Sequence, residues 1–318
     1  MKKRKVGIVG VGHVGAHTAY SIAMQGSADE IVLVDINDAR LTSEHQDLLD
    51  ASANMPNRVQ IRKGSYEDLR DCDVVVNSAG DISLLMGEDR SLELKYTVPA
   101  VHTWAEDLGR SGFEGVILSI SNPCDVVAHE IALASGLPKG RVLGTGTGLD
   151  SARLIAQTAK ALQVSPQSVQ AFIMGEHGVT QFAAWSCASL GGMPLDIFLK
   201  KNGREDFDKE NVEQLGCHAG IITFSYKHAT EYGIAAVAAR MVRAIIRDEQ
   251  VLLPASVQLD GEYGQRGLFA GVPVILGKNG VEEVVELPLT EDELSRFGEC
   301  CDAIRANMRT ADQIMNRG

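Results

Sequence analysis

The chain has 318 residues, 45% of them hydrophobic and 23% charged, with a formal net charge of −12. That length suits one large or two medium domains, and the composition is that of an ordinary folded protein rather than a disordered one. The negative charge repels phosphate backbones and excludes nucleic acid from the expected partners.

In chain order, Val6-Gly7-Ile8-Val9 reads as a buried strand, followed by a helical pattern to about residue 25. Residues 30–35 form a second apolar strand ending in Asp35, and residues 39–53 a helix. Residues 73–77 and 116–120 are further apolar strands. Strands alternating with helices imply βαβ units and a parallel sheet covered on both faces. The pattern changes near residue 145. Helices over residues 151–162 and 231–247 then mix with a strand over 271–276. Thr290-Glu291-Asp292-Glu293 is a capping box that opens a last helix. Leu294, Phe297, Cys301, Ile304, Met308 and Met315 follow at helical spacing and are expected to face the core.

Gly10-Val11-Gly12-His13-Val14-Gly15 is a GxGxxG motif placed directly between the first strand and its helix. Gly10 permits the tight turn, Gly12 a close approach of the pyrophosphate, and Gly15 close packing of helix on strand. The helix opening at His13 and Val14 offers free N–H groups and a positive dipole end to the phosphates. Asp35, twenty residues after Gly15, can bind the ribose hydroxyls and would repel a 2′-phosphate, so NAD is the expected cofactor. These features predict an α/β chain. The expected layout is a Rossmann-type doubly wound parallel sheet over residues 1–145 that would bind NAD, followed by an α+β domain over residues 146–318 expected to take the substrate.

The cysteines Cys72, Cys124, Cys187, Cys217, Cys300 and Cys301 form no CxxC pair and no zinc-spaced cluster with His. They read as reduced thiols, the vicinal Cys300 and Cys301 included, and no metal is expected. The basic start Met1–Lys5 is followed by a stretch broken by glycines, unlike a signal peptide. No apolar segment is long enough to span a bilayer. A cytoplasmic protein without a membrane partner is expected.

Four polar stretches remain: Gly87-Glu88-Asp89-Arg90, Ser121-Asn122-Pro123-Cys124-Asp125, Leu149-Asp150-Ser151-Ala152-Arg153 and Gly175-Glu176-His177-Gly178. In this order behind the nucleotide motif, the chain resembles the L-lactate/L-malate dehydrogenase family over nearly its whole length. Within the family it looks most like the L-2-hydroxyisocaproate dehydrogenase branch. The resemblance implies an oxidoreductase exchanging a hydride between NADH and a small 2-oxo acid. It makes His177 the acid/base, which suits an imidazole near neutral pH, and Asp150 the group that orients its ring. Arg153 would clamp the substrate carboxylate bidentately. Arg90 would polarise the reacting carbonyl, Asn122 would lie beside the reacting oxygen and the cofactor, and Thr230 would line the substrate pocket. The stretch around Thr230, Lys227-His228-Ala229-Thr230-Glu231-Tyr232, departs from the usual pattern.

Side-chain specificity falls on Asp81-Ile82-Ser83-Leu84-Leu85-Met86. Where malate enzymes of the family carry Arg and typical lactate enzymes Gln, this chain has Leu84 or, if its longer loop shifts the register, Ser83. Neither supplies a cation, and burying a second carboxylate against leucine costs several kcal/mol, so malate is disfavoured. The apolar loop predicts a medium or branched substrate such as 2-oxoisocaproate, with L-lactate dehydrogenase acting on pyruvate as the alternative. A malate dehydrogenase, an NAD-dependent glycosidase-like hydrolase and a non-catalytic NAD-binding protein stand behind these. Ile155 and Gln170 occupy the positions where allosteric bacterial relatives bind fructose 1,6-bisphosphate with Arg and His, so no activation by that effector is expected. The family is usually oligomeric, which implies a homodimer or homotetramer.

Overall fold

The computed structural model describes residues 3–80, 90–227 and 229–317, with the side chains of Arg90 and Ser91 outside that set. The first half is built on parallel strands β1 (Lys5–Val9), β2 (Glu30–Val34), β3 (Gln60–Lys63), β4 (Val74–Asn77), β5 (Val116–Ser119) and β6 (Val142–Gly144). They lie in the order β3-β2-β1-β4-β5-β6, so the direction of winding reverses beside β1, where such sheets bind ligands at their carboxyl ends. The helices are α1 (His13–Met24), α2 (Asp38–Ser52), α3 (Arg90–Arg110) and α4 (Cys124–Ser135).

Side-chain alternation explains why both faces are covered. Val6 and Ile8 of β1, Ile31 and Leu33 of β2, and Val74 and Val76 of β4 share one core with Ile22 of α1 and Leu41 of α2. Val9, Val32, Val34 and Val75 point the other way, onto Trp104 of α3 and Val127 of α4. Each such side chain removed fully from water stabilises the fold by roughly 1.5–3 kcal/mol.

The second half begins with α5 (Gly148–Leu162) and the two-residue strands β7 (Val169–Gln170), β8 (Ile173–Met174), β9 (Phe182–Ala183), β10 (Ser189–Leu190) and β11 (Met193–Pro194). Then follow α6 (Leu195–Lys201), α7 (Lys209–Lys227), α8 (Tyr232–Ile246), β12 (Val251–Asp260), β13 (Arg266–Gly277), β14 (Gly280–Val284) and α9 (Glu291–Ile314). The six strands of the first half pair in parallel as expected, and the second half adds antiparallel strands to the same sheet. The β12–β13–β14 meander pairs antiparallel and joins the parallel strands through β12 and β6, extending one sheet to nine strands. α8 crosses over α1 and packs into the same core.

The capping box at α9 forms as expected. The Glu293 N–H donates to Thr290 Oγ1 at 3.2 Å, and the Thr290 N–H donates to Glu293 Oε2 at 3.0 Å. Of the expected inward stripe, Phe297, Cys301 and Ile304 are buried and Met308 and Met315 pack against buried neighbours, while Leu294 is 45% exposed; Cys300 and Ala311 join the buried face. Burial pushes the Cys301 thiol up to about 12, and Cys300 donates to the Thr180 carbonyl, so the vicinal pair has the character of inert core thiols. No described helix is long and apolar enough to cross a membrane.

One buried ion cluster ties the C-terminus to the first half. Glu130 of α4, 1% exposed, accepts from Arg317 at 2.6 and 2.7 Å and from His102 Nε2 of α3 at 2.9 Å. Burial pushes this carboxyl up, but His129, whose Nδ1 lies 3.7 Å away, together with Arg317 and His102 outweighs it and holds it at about 2. A depressed carboxylate stabilises the fold above its unfolded value, and that contribution drains away as pH falls from about 5 towards 2. Arg317→Ala removes the principal cation and should lower urea-unfolding stability at pH 7 by about 3 kcal/mol. An unchanged midpoint would mean that water or the histidines His102 and His129 satisfy Glu130.

Candidate active site

The glycine turn after β1 has the shape a dinucleotide needs. Gly10 sits at φ +85°, and a Cβ there would lie 2.7 Å from the Ser78 carbonyl oxygen. A Cβ on Gly15 would come within 1.9 Å of the Gly10 carbonyl oxygen, so α1 rests directly on the turn. Gly12 precedes the helix and leaves its N-terminus open, with Arg40 Nη1 the nearest atom to an added Cβ, at 3.6 Å. His13 and Val14 are the first residues of α1. His13 is exposed and lies 3.3 Å from Glu231 Oε1, and Glu231 in turn pairs with Lys227. Asp35 follows the last residue of β2. Its Oδ2 accepts from the Val11 N–H and its Oδ1 from the Asn37 N–H, each at 2.8 Å. Each oxygen keeps a second lone pair for a ribose hydroxyl. Turn, open helix end and carboxylate together fit NAD.

The second cluster assembles at the carboxyl ends of β4, β5 and β8. Asn77 Nδ2 donates to Ser119 Oγ and Ser121 Oγ, and Ser121 Oγ donates to the Ala79 carbonyl at 2.6 Å. This network fixes the turn that carries half-buried Asn122. Asp150 and Arg153 stand three apart in the first turns of α5, on one helix face. That helix starts three residues before the expected Ser151, which places Asp150 inside it. Asp150 is 5% exposed. Its Oδ2 faces His177 Nδ1 at 2.7 Å and its Oδ1 accepts from Arg153 Nη1 at 3.0 Å. Burial pushes the Asp150 carboxyl up, but the neighbouring His177 and Arg153 outweigh it and hold it below the ordinary range. One buried carboxylate thus aligns a histidine and an arginine.

His177 lies in the turn after β8. Gly175, at φ +92°, packs so closely on α9 that an added Cβ would be 2.3 Å from Cys300 Sγ, so the histidine loop is seated on the last helix. Asp125 belongs to this constellation. Its Oδ2 accepts the His177 backbone N–H at 2.9 Å and its Oδ1 accepts the Ser256 hydroxyl at 2.5 Å. Burial pushes Asp125 up to about 6 despite those bonds. Glu176 is also buried and accepts from Thr180 Oγ1 at 2.8 Å. The sequence assigned Asp125, Ser256 and Glu176 no role. An Asp just inside a helix after Asn-Pro gives only the signal of a partner for the helix N-terminus.

The remaining expected residues are placed less tightly. Thr230 is half-buried, and the next residue, Glu231, stands at the N-cap position of α8 without a side-chain capping bond. Arg90 opens α3, with its side chain outside the described set, and Leu84 and Ser83 lie outside the described residues altogether. Among the described residues no cluster of three or more His, Cys, Asp or Glu could hold a metal ion.

Residues 4–144 match the model of the lactate/malate dehydrogenase NAD-binding domain, and residues 147–314 that of the lactate/malate dehydrogenase alpha/beta C-terminal domain. An L-lactate dehydrogenase of Fusobacterium nucleatum is 40% identical over 307 residues, 96% of either chain. L-lactate dehydrogenase 3 of Bacillus cereus is 38% identical, over 96% of this chain and 98% of its own. The crystal structure of a minor L-lactate dehydrogenase from Enterococcus mundtii in its ligands-bound form superposes with a TM-score of 0.92 at 36% identity, covering 98% of each chain. The ligands-unbound form of the Enterococcus mundtii enzyme gives 0.84, at 34% identity over 99% of this chain and 98% of its own. The chain belongs to the lactate/malate dehydrogenase family and is an NAD-dependent oxidoreductase of 2-hydroxy acids.

Proposed function

We propose that this protein is an L-lactate dehydrogenase, interconverting pyruvate and L-lactate with residues 1–145 holding NAD(H) and residues 146–318 the substrate. The observation that carries this reading is the double engagement of Asp150, which joins His177 and Arg153 in one unit. The relatives named L-lactate dehydrogenase, at 36–40% identity over nearly the whole chain, support pyruvate over the longer 2-oxo acid expected from the loop. The 2-oxoisocaproate reading therefore becomes the second one. It rests on Leu84-Leu85-Met86, which lie outside the described residues.

The nicotinamide, when bound, supplies the hydride that reduces C2. Arg153 anchors the substrate carboxylate through the guanidinium N–H groups that Asp150 does not use. That anchor orients the 2-oxo group towards His177, so the two reacting parts meet without further loss of freedom. Bonded through Nδ1 to Asp150, the His177 ring exchanges its proton at Nε2. It gives that proton to the 2-oxo oxygen in reduction and takes it back in oxidation. Asn122 donates to the same oxygen, Arg90 stabilises the charge that builds there, and Thr230 borders the pocket. The enzyme works in the cytoplasm as a homodimer or homotetramer.

kcat/KM with NADH for pyruvate, oxaloacetate and 2-oxoisocaproate tests the assignment. Pyruvate should be preferred, and oxaloacetate should be poor until Leu84→Arg supplies a cation for its second carboxylate. A preference for 2-oxoisocaproate would transfer the enzyme to the second reading. Each methylene in such a pocket is worth about 1–3 kcal/mol of discrimination, so the two outcomes are well separated.

A further inference from the structure

We propose that Asp125 is a second positioning carboxylate for His177, holding the histidine from its backbone while Asp150 holds its ring, and that its charge favours the protonated imidazole. The inference rests on His177 being the acid/base. Asp125 comes from the first turn of α4, while its two partners, the His177 N–H at 2.9 Å and the Ser256 hydroxyl at 2.5 Å, come from the second half of the chain. α4 begins two residues after Asn122, so one helix end places both the residue facing the reacting oxygen and the anchor of the histidine turn. Ser256 lies on β12 at the residue that pairs with Gly144 of β6. The histidine turn is thereby pinned to the seam of the sheet.

Asp125 is enclosed, which favours its neutral form and pushes it up to about 6, but its two donors and its place at a helix N-terminus favour the ionised form, which prevails above that pH. The charged and titratable groups around it are the neighbouring Cys124 thiol of α4, Glu176 and His177 from the turn after β8, and the Cys301 thiol of α9. Protonated His177 lowers the proton affinity of Asp125. Coupling of two sites is mutual, so ionised Asp125 must raise that of His177 to the same degree. Asp125 is 3% exposed, so protein rather than solvent surrounds its charge and screens it weakly.

The test is the pH profile of kcat/KM for pyruvate reduction, whose alkaline limb reports loss of the His177 proton. Asp125→Asn keeps the shape and removes the charge. Its alkaline limb should move down by about half to one pH unit, a roughly three- to tenfold loss above the limb. NADH affinity, read by fluorescence, should be unchanged. Asp125→Glu should return the limb towards the wild-type position. Ser256→Ala, which keeps the carboxylate but removes a donor to it, should shift the limb in the same direction by less. It decides the matter if Asp125→Asn does not fold. A limb that stays at the wild-type pH, with activity lowered uniformly, would reduce Asp125 to a structural residue and overturn the proposal. Activity surviving in His177→Asn would instead overturn the acid/base reading itself, independently of Asp125.

Discussion

Replacing His177 with Asn should lower kcat/KM for pyruvate reduction by about 10³- to 10⁴-fold while NADH still binds with its normal affinity. The glycine turn and Asp35, which we propose hold the pyrophosphate and a ribose of NAD(H), do not touch the histidine turn through the bonds described. Asn approximates the imidazole in size, so the backbone bond to Asp125 and the seating of Gly175 on α9 should survive. What disappears is the only group aligned by Asp150 that can exchange a proton near neutral pH. Asp150→Asn should be nearly as damaging for a different reason. The amide either stabilises the wrong tautomer of the ring or offers it a donor in place of an acceptor, and it removes the charge that favours imidazolium. Stopped-flow single turnovers with NADH separate hydride transfer from binding. A loss smaller than tenfold in His177→Asn would remove this residue from the chemistry.

Arg153→Lys should cost about 3 kcal/mol in kcat/KM, roughly 10²-fold, expressed mostly as a higher KM for pyruvate. The guanidinium is only 16% exposed, and one of its nitrogens is committed to Asp150 at 3.0 Å. It also lies against α7, where a Cβ added to Gly220 would be 3.1 Å from Nη1. A planar fork can hold Asp150 and still present parallel N–H groups to a carboxylate. A lysine ammonium is a single point, and it must divide itself between Asp150 and the substrate. Because the bond between Asp150 and His177 is left standing, kcat at saturating pyruvate should fall less than KM rises. Pyruvate KM within threefold of wild type would place the carboxylate elsewhere.

The two halves of the chain were unequally legible before folding. The parallel strands announce themselves because buried strands are continuous apolar runs between turns, and β1, β2, β4 and β5 end within one residue of where those runs stop. The β12–β13 hairpin is harder to see. Val251-Leu252-Leu253-Pro254-Ala255-Ser256 carries a proline that argues against a central strand, yet Pro254 pairs opposite Pro273 in the antiparallel register. In α9 both the helical period and the inward face are legible, except that Leu294 turns outward and Cys300 and Ala311 widen the buried face. At the site, Asp150, Arg153 and His177 are recognisable because their residue types recur in order, and folding brings them within a bond of one another. Asp125 is illegible for the opposite reason. Its partners are 52 and 131 residues away, and one of them is a backbone N–H, which leaves no trace in side-chain identity.

The seam between β6 and β12 also governs how this protein can be cut and recombined. The two halves share one sheet, and they meet where Ser256 pairs with Gly144. A Cβ on Gly144 would lie 2.7 Å from Cys124 Sγ and 3.2 Å from Ser256 Cβ. A fragment ending at residue 145 would therefore leave β6, whose residues Val142, Leu143 and Gly144 are all buried in the whole chain, as a bare edge with unpaired N–H and C=O groups. Such an edge recruits strands from other molecules. A chimera that takes its first half from one relative and its second from another inherits the same difficulty, because Gly144, Cys124 and Ser256 must fit as a set. Gene shuffling in this family should accordingly tolerate crossovers in surface turns whose residues bond only within one half. It should select strongly against crossovers at the boundary that looks most natural on a domain map.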